Sequence, residues 1–454
     1  MRTQFVGAKL CEPEVAMKYM SKNSKDNLEW GKSMLSLKEL KNFYNNKKVL
    51  MTGHTGFKGA YMCVLLKYLG AKVYGYSLKP EKGSLYELMC KDAKKSSVLK
   101  SLKNTKVVEG EEFSDVRDFA KLKAFVKKVE PDYILHMAAQ PLVLLGYDEP
   151  RYTYDVNVMG TVNLFEAIRE TFANKKKLIS ILNVTTDKVY ENNDLSNYAF
   201  KENDKLCGKD PYANSKSCSE LVTYSYEKSF FYDKKYFRVS TARAGNVIGG
   251  GDFNKDRIIP DCYRAIKNKK DMLVRNPVSI RPYQYVLEPL LLYLNIMACQ
   301  LKDKKYEGHY NIGPDKKDCL TTKTLVEKFF EAYELEQKLD NIYYGSVKNG
   351  EELTHEEIIS RLKQNDKTKM HQTKVVYGKV KATSKKEATF LRLDNSLAKK
   401  VFGYKKIYDI DETMRFTAFG YFDILGAGKS EMCYKNVYDN VYGKVEETFE
   451  HNYK

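Results

Sequence analysis

The sequence contains no long apolar segment. Its longest apolar-rich run, Leu290 to Leu301, is interrupted by Asn295 and falls far short of the ~20 residues that a membrane span needs. The first 46 residues lack the apolar stretch of a signal peptide, and acids such as Glu12 and Asp26 also disfavour a transit peptide. We therefore expect a cytoplasmic protein with no membrane partner.

Cysteine is present without the spacing of a disulfide framework or a zinc site. The nine cysteines are scattered, and no two of them form a C-x-x-C pair. An odd number without paired spacing is typical of reduced thiols in a cytosol. His54 and His136 are not spaced as metal ligands either. We predict that both histidines are structural and that the protein has no metal site.

Acidic residues are outnumbered by basic ones, and the formal net charge is +18. Between Leu362 and Lys386 the single acid is Asp366. Such basic runs usually form solvated surface, so we do not expect nucleic acid as a partner. Positive charge also suits a small anionic ligand. The hydrophobic fraction of 43% is enough for a sizeable core.

A glycine-rich turn stands between an apolar strand and an apolar helix. The strand is predicted at Lys48 to Thr52, the turn has the sequence GHTGFKG (residues 53–59), and the helix follows at Ala60 to Leu69. Such a turn lets the backbone approach a pyrophosphate, whose charge the helix N-terminus stabilises. The glycine spacing is G-x-x-G-x-x-G rather than G-x-G-x-x-G. The context nevertheless predicts a dinucleotide site.

Further strands and helices alternate along the chain. Strands are predicted at Val73 to Tyr76, Tyr133 to His136 and Leu178 to Val184, and the acids and cation of Asp115 to Asp118 open a polar helix. Alternation of this kind predicts an α/β fold, a Rossmann-type doubly wound parallel sheet with ligands at the carboxyl ends of its strands. Beyond about Arg243 the pattern loosens, and we expect a smaller C-terminal α/β substrate lobe.

A tyrosine and a lysine are spaced to act together on one helix face. Tyr212 and Lys216 are four residues apart, so their side chains lie one turn apart. A nearby ammonium favours the phenolate form of a tyrosine and makes it a base. Together with Thr186, which follows a predicted strand, this pair suits the oxidation of an alcohol.

These motifs together resemble the extended short-chain dehydrogenase/reductase superfamily, and more narrowly the CDP-glucose 4,6-dehydratases. The resemblance runs over roughly residues 47 to 315. The segments that carry it, in chain order, are GHTGFKG (53–59), HMAAQPLV (136–143), NVMGT (157–161), TTDKVYEN (185–192), DPYANSK (210–216), TARAGNVIGGGDF (241–253), DRIIPD (256–261) and RPYQYVLEPL (281–290).

The resemblance implies conversion of CDP-glucose to CDP-4-keto-6-deoxyglucose for deoxysugar biosynthesis, with NAD as cofactor. In this scheme Tyr212 takes the proton of the sugar 4-hydroxyl and Thr186 hydrogen-bonds that hydroxyl. Lys216 holds the nicotinamide ribose and lowers the tyrosine pKa. Asp187 is the expected general acid at the 6-hydroxyl, and Lys188 is the expected base at C5. The pair Asp187-Lys188 resembles the pair found in the CDP-glucose enzymes, whereas the dTDP-glucose relatives have Asp-Glu there. The alternative is that Asp187 and Lys188 simply form a surface turn after the strand.

Cofactor and substrate positions carry over motif by motif. The expected cofactor-binding residues are Gly53, Thr55, Gly56, Phe57, Gly59, Asp115, Val116, Ala138, Ala139, Asn157, Tyr212 and Lys216. The expected substrate-binding residues are Gln140, Asn246, Arg257, Arg281 and Tyr285.

Four places in the sequence depart from expectation or have a second interpretation. Tyr76 to Lys79 stands where an acid would bind the ribose 2′-hydroxyl, and it contains no arginine for a 2′-phosphate; the resemblance implies NAD. Asp115 also suits a helix cap. Leu144 and Tyr285 replace an arginine and a histidine that the family usually has.

The expected organisation is an N-terminal extension (1–46), in which Met34 to Tyr44 forms a lead-in helix, and a Rossmann domain with the catalytic residues (47–245). A substrate lobe (246–335 and 387–454) is interrupted by a Lys-rich insertion (336–386) with little apolar periodicity. We expect a homodimer or homotetramer. Three alternatives stay open: a dehydratase of a dTDP- or UDP-hexose, a nucleotide-sugar 4-epimerase, and a non-catalytic Rossmann protein that binds nucleotide or RNA.

Overall fold

The computed structural model describes residues 34–102, 106–195, 198–231, 235–349, 354–364, 373–378, 388–424 and 437–453. Most of the expected N-terminal extension therefore lies outside the described residues. The same holds for residues 350–353, 365–372 and 379–386 of the expected insertion.

The described residues form thirteen strands. Their bounds are β1 (Lys48–Thr52), β2 (Lys72–Ser77), β3 (Gly110–Phe113), β4 (Tyr133–His136), β5 (Ile179–Val184), β6 (Phe237–Ala244), β7 (Asn246–Ile248), β8 (Met272–Val274), β9 (Ile280–Arg281), β10 (Tyr283–Tyr285), β11 (His309–Ile312), β12 (Leu320–Thr321) and β13 (Val375–Tyr377). Seven of them pair in parallel as one sheet, in the order β11-β6-β5-β4-β1-β2-β3. The predicted α/β class with a Rossmann-type parallel sheet is confirmed.

The helices between these strands in the described ranges are α1 (Leu37–Tyr44), α2 (Phe57–Tyr68), α3 (Leu85–Asp92), α4 (Ser97–Ser101), α5 (Phe119–Val129), α6 (Val143–Asp148), α7 (Pro150–Tyr154), α8 (Gly160–Thr171), α9 (Pro211–Tyr226), α10 (Ile258–Asn268), α11 (Leu287–Lys302), α12 (Thr322–Lys348), α13 (His355–Gln364), α14 (Ser396–Phe402), α15 (Ile410–Ile424) and α16 (Val437–Tyr453). A π-helical segment, Asp155–Met159, leads into α8, and a 3₁₀ turn, Asp187–Val189, follows β5.

The main sheet is buried on both faces. Successive residues of a strand point to opposite sides, so Val49 and Met51 join the core formed with α2 and α11, while Leu50 joins the core formed with α5 and α8. Full burial of a Val, Leu or Met side chain contributes about 1.5–3 kcal/mol. Burial on both faces explains why the strands read as continuous apolar runs.

A third core belongs to the C-terminal lobe. It joins Ile259 of α10, Phe329 of α12 and Tyr421 of α15, all of which are fully buried. Two-stranded pairs support it: β8 pairs with β13, β7 with β10, and β9 with β12. The lobe therefore packs around its own apolar cluster beside the carboxyl ends of the main sheet.

Helix α12 runs through the predicted boundary at residue 336. The helix is 27 residues long in all, and Leu339 and Ile342, beyond that boundary, are buried. The prediction that apolar periodicity fades there is wrong for this part of the segment, because polar residues at 336–338 hide a helical stripe that continues from Phe329. Strand β13, also inside the predicted insertion, pairs with β8.

The lead-in helix predicted at Met34 to Tyr44 is present as α1, although it is shorter. Ser36 and Glu39 form a reciprocal capping box at its start. The backbone N–H of Leu35 donates to Asn295 Oδ1 at 2.7 Å, and the Tyr44 hydroxyl donates to the Leu294 carbonyl at 2.7 Å. The described end of the expected extension therefore docks on α11.

Within the ranges that the structure covers, no helix is both long and apolar enough to cross a membrane. The same residues contain no group of three or more His, Cys, Asp or Glu side chains placed to hold a metal ion.

Candidate active site

Tyr212 and Thr186 meet where the end of β5 faces the start of α9. Asp210 caps this helix by accepting from the Ala213 N–H at 2.9 Å, and Pro211 starts it, so Tyr212 lies in the first turn. The Thr186 hydroxyl is close enough to the Tyr212 phenol to lower its pKa. The structure thus brings together two residues that the sequence places on separate elements.

The phenol of Tyr212 is buried, and the groups around it shift its pKa in opposite directions. Burial raises the pKa of Tyr212, whereas the Lys188 ammonium and the Thr186 hydroxyl lower it. The sequence predicts Lys216 as the cation that lowers this pKa. In the structure the largest cationic effect on the pKa of Tyr212 comes from Lys188, in the turn after β5.

Lys216 lies one turn further along α9, where it contacts the end of β5. Its Nζ donates to the Val184 carbonyl at 3.1 Å. Burial lowers the pKa of Lys216 to about 8, and the Glu220 carboxylate opposes that shift. An ammonium held in this place can reach the ribose of a dinucleotide that follows the carboxyl ends of the strands.

Asp187 and Lys188 form the 3₁₀ turn after β5. Asp187 is 1% exposed; its Oδ1 accepts from the Thr186 hydroxyl at 2.9 Å and lies 3.4 Å from Lys188 Nζ. Its Oδ2 is buried without a hydrogen-bond partner. The Lys188 side chain is 18% exposed. A plain surface turn does not bury a carboxylate in this way, since an unpaired buried acceptor costs about 1–3 kcal/mol.

The glycine-rich turn closes tightly against the end of β4. Gly53 has φ +77°, and a Cβ there would lie 2.7 Å from the Ala138 backbone nitrogen. A Cβ on Gly59 would lie 2.3 Å from the Gly53 carbonyl oxygen. Gly56 starts α2 with no side-chain cap. The close backbone and uncapped helix N-terminus fit a dinucleotide pyrophosphate.

Other predicted cofactor positions surround this turn. Thr55 Oγ1 lies 2.8 Å from Ser77 Oγ and donates to the Leu78 carbonyl at 3.1 Å, which ties the turn to the end of β2. Phe57 packs edge-on against Tyr61. Ala138 and Ala139 lie in the loop just after β4. The structure therefore gathers these positions at the carboxyl ends of β1, β2 and β4.

Asn157 and Gln140 are bound to each other and to α9. Asn157 Nδ2 donates to the Gln140 carbonyl at 3.1 Å and to Ser215 Oγ at 2.9 Å. The Gln140 side-chain amide donates to Thr153 Oγ1 at 2.8 Å and accepts from the Leu142 N–H at 2.6 Å. Both side chains brace the loop after β4 and the helix that carries Tyr212.

Asp115 does not cap the helix that follows it. Its carboxylate accepts from the backbone N–H and the guanidinium of Arg117 at 2.9–3.0 Å. Asp118 caps α5 instead, by accepting from the Lys121 N–H at 3.1 Å. Val116 is buried, and a Cβ on Gly160 would lie 2.7 Å from its Cγ2. The interpretation of Asp115 as a helix cap is therefore wrong, because the cap is Asp118, three residues later.

Of the predicted substrate positions, Arg257 is the one whose charge acts on Tyr212. It is the largest effect after burial that lowers the pKa of Lys58, and it makes a smaller contribution that opposes the rise in the pKa of Tyr212. Its Nη1 lies 3.2 Å from Asp252 Oδ2. Asn246 is half-buried at the start of β7.

Arg281 and Tyr285 are placed differently from the prediction. The Arg281 guanidinium donates to the backbone carbonyls of Ile280, Ala388 and Thr389, so its fork holds the chain rather than facing the cleft. Tyr285 is 1% exposed, and its ring contacts Tyr408 and Phe416. The prediction for both residues rests on their position in a motif. That position does not reveal that residues from Ala388 to Phe416 cover them.

Sequence reasoning also missed Lys58, inside the glycine-rich motif. Its Nζ donates to the Tyr293 hydroxyl at 3.0 Å, which turns the side chain back to α11. Burial lowers the pKa of Lys58 to about 7, with Arg257 and Lys216 adding to the shift and Asp187 opposing it. A cation in place of an apolar residue at the start of an otherwise apolar helix was the available signal.

The two histidines are bound to neighbouring side chains. His136 Nδ1 lies 2.7 Å from Thr52 Oγ1, and its Nε2 lies 3.2 Å from Thr161 Oγ1. Burial, followed by the charge of Lys216, lowers the pKa of His136 to about 3. His54 Nε2 lies 3.1 Å from Glu111 Oε2.

Comparison with known proteins places this geometry in context. The family model for GDP-mannose 4,6 dehydratase matches residues 50–417. A CDP-glucose 4,6-dehydratase of Salmonella typhimurium is 41% identical over 296 residues, which cover 63% of this chain and 77% of that protein. A CDP-paratose 2-epimerase of Salmonella typhi is 26% identical and covers 59% of this chain and 78% of its own length.

Solved structures share the fold at lower identity. A dTDP-glucose 4,6-dehydratase from Bacillus anthracis in complex with NAD has a TM-score of 0.56 at 17% identity and covers 83% of this chain and 96% of its own. An epimerase from Methanothermobacter thermautotrophicus has a TM-score of 0.60 at 17% identity and covers 86% of this chain and 96% of its own. At these identities the likeness establishes the fold.

Proposed function

The chain belongs to the GDP-mannose 4,6-dehydratase family, and we propose that it uses NAD to convert CDP-glucose to CDP-4-keto-6-deoxyglucose with loss of water. The observation that carries the proposal is the 3₁₀ turn after β5, where the acid Asp187 and the cation Lys188 stand beside Thr186 and Tyr212. Oxidation alone needs no such pair.

The side chains can divide the chemistry among themselves. Tyr212 takes the proton of the sugar 4-hydroxyl while Thr186 holds that hydroxyl. The 4-ketone acidifies C5, where Lys188 in its neutral amine form removes a proton and becomes an ammonium. Asp187 protonates the departing 6-hydroxyl, and its unpartnered Oδ2 supports this role. Positioned acids and bases typically contribute about 100- to 10,000-fold each.

The cofactor cleft fits NAD. Bound NAD would supply an acceptor for the C4 hydride and return it to C6, so that none is consumed. Gly53, Gly56 and Gly59 would let the backbone approach the pyrophosphate, and Lys216 would hold the nicotinamide ribose. The relative that is 41% identical is a CDP-glucose enzyme, which supports cytosine as the base.

A nucleotide-sugar 4-epimerase is the main alternative. It would use Thr186, Tyr212 and Lys216 in the same way but would have no use for an acid and a base beside C5 and C6. The buried carboxylate of Asp187 therefore favours the dehydratase. A non-catalytic nucleotide- or RNA-binding protein would not need the Tyr212–Lys216 pair.

The proposal is tested with CDP-glucose deuterated at C4. The expected product is CDP-4-keto-6-deoxyglucose with deuterium at C6, formed without net reduction of added NAD. Parallel incubation with dTDP-glucose and UDP-glucose identifies the preferred base. Label that appears in free reduced cofactor would make the protein an ordinary dehydrogenase, and product that keeps its 6-hydroxyl would make it an epimerase.

We also propose a homodimer or homotetramer in the cytoplasm, with the Rossmann unit carrying the catalytic residues and the C-terminal lobe carrying the substrate. Apolar side chains exposed on α9 and just beyond it support association: Leu221 is 54% exposed, Tyr224 51% and Phe230 42%. Exposed apolar residues that recur on one helix often mark an interface.

A further inference from the structure

Glu220 is a buried carboxylate that the reaction scheme does not use. It lies on α9 one turn beyond Lys216 and is 1% exposed. A charge buried to this degree must be paired, because desolvation of a carboxylate costs several kcal/mol. The side chains that pair with Glu220 therefore identify the part of the structure that it holds in place.

Partners from three strand segments converge on this carboxylate. The Thr185 hydroxyl at the end of β5 donates to Oε1. From β6, Thr241 Oγ1 and Arg243 Nη2 donate to Oε2 at 2.8 and 2.9 Å. From β11, His309 Nδ1 lies 3.5 Å from Oε2. Thr185 directly precedes Thr186, so the carboxylate fastens the strand end that presents the catalytic threonine.

We propose that Glu220 is a positioning residue, which anchors the end of β5 through Thr185 and keeps a negative charge one helical turn from Lys216. The carboxylate is ionised in this surrounding: burial would raise the pKa of Glu220, but Arg243, His309 and Thr185 outweigh burial and hold it below its usual range. It is the group that opposes the lowering of the pKa of Lys216.

The other titratable groups that act on Lys216 cannot replace this charge. His136 on β4 is neutral near pH 7, because burial and Lys216 lower its pKa to about 3. Lys58 on α2 is a like charge. Without the carboxylate the pKa of Lys216 would fall below about 8, and Lys216 would lose its proton at a lower pH.

The first test follows the protonation of Lys216 directly. Enzyme grown on lysine labelled with ¹³C at Cε is titrated by NMR, and the Lys216 signal is identified by its absence in Lys216→Arg. In Glu220→Gln we expect the Lys216 midpoint to fall by about 1 pH unit or more, the usual effect of losing a close opposite charge. This readout needs neither substrate nor cofactor.

The second test rests on the proposed function. Single-turnover oxidation of CDP-glucose should fall about fivefold at pH 8 in Glu220→Gln, since a drop of one unit from 8 reduces the protonated fraction by that factor. At pH 6 the rate should be nearly unchanged. If CDP-glucose is not a substrate but the titration shifts, the inference stands and the proposed function fails.

Thr223→Val is the matched control. Thr223 is fully buried on the same helix and bonds Asn183 and the Ser219 carbonyl, away from Lys216. It should reduce stability without moving the Lys216 midpoint. If Glu220→Gln does not fold, the double variant Glu220→Gln/Arg243→Met leaves neither charge unpaired and should still lower the midpoint. An unchanged midpoint in the variant that folds overturns the proposal.

Discussion

At the scale of single residues, Tyr212 is the proposed base of the first chemical step. Tyr212→Phe keeps the ring in its buried place but removes the hydroxyl that takes the proton. We expect turnover of CDP-glucose to fall by about 100-fold or more, the usual contribution of a positioned base. Steady-state kinetics measure the loss.

Substrate binding should survive in Tyr212→Phe, because the charge of Arg257 is unchanged. Equilibrium binding of CDP-glucose is the control for this variant. Turnover close to that of the unaltered enzyme would remove Tyr212 from the chemistry.

Lys188 is the proposed base of the second step. Lys188→Ala leaves Tyr212, Thr186 and Lys216 in place but removes the cation that most lowers the pKa of Tyr212. Oxidation at C4 should therefore be slower but should still occur on mixing with CDP-glucose. Elimination should stall, and absorbance of bound reduced cofactor should accumulate in stopped flow. Exchange of the C5 proton into deuterated water should be sharply reduced.

Tyr190 is a poor substitute for Lys188 as the C5 base. Its hydroxyl is buried, bonds Asn311 Oδ1 at 2.5 Å and accepts from Arg243 Nη1 at 2.9 Å. Wild-type C5 exchange in Lys188→Ala would therefore point to a bound water.

At the scale of elements, α12 carries buried packing past the predicted boundary at residue 336. Leu339→Ala removes a buried side chain from the part of α12 that lies beyond residue 336. We expect a loss of about 2–5 kcal/mol in the free energy of unfolding, the usual result of truncating a buried leucine. Glu331→Ala, at an exposed position of the same helix, is the control. Denaturant midpoints of the two variants measure the difference.

Equal midpoints for these two variants would show that residues beyond 336 are peripheral after all. The expectation for a deletion of residues 336–386 follows from the same packing: it would cut α12 and remove β13 from β8, so soluble active enzyme should not result.

At the scale of the whole molecule, the exposed face of α9 is the proposed interface between copies of the chain, and the same helix carries Tyr212 and Lys216. Leu221→Asp places a charge on that face without touching the cleft. We expect the assembly to dissociate to monomers in light scattering. Lys82→Asp, at an exposed position after β2, changes the charge by two units rather than one and is a stricter control that should not dissociate. An assembly unaffected by Leu221→Asp would place the interface elsewhere.

The sequence by itself determined the parallel α/β fold and the motifs that line one edge of it. Both are local in origin: strand and helix periods, glycines that a tight turn requires, and Tyr212 and Lys216 on one helix face are each written in neighbouring residues. Strand ends gather at one edge of a parallel sheet whatever the details of packing. The turn at residues 53–59 and the segment 185–188 are therefore recognisable from the amino-acid sequence.

Tertiary structure alone decided which charges face each other. The burial of Tyr285 and the use of Arg281 on backbone carbonyls depend on a segment about 100 residues later in the chain. The pairing of Glu220 with Thr185, Thr241 and Arg243 joins side chains from one helix and two strands. Such contacts depend on long-range packing, and electrostatic effects depend on burial and distance. No spacing along the sequence encodes either quantity.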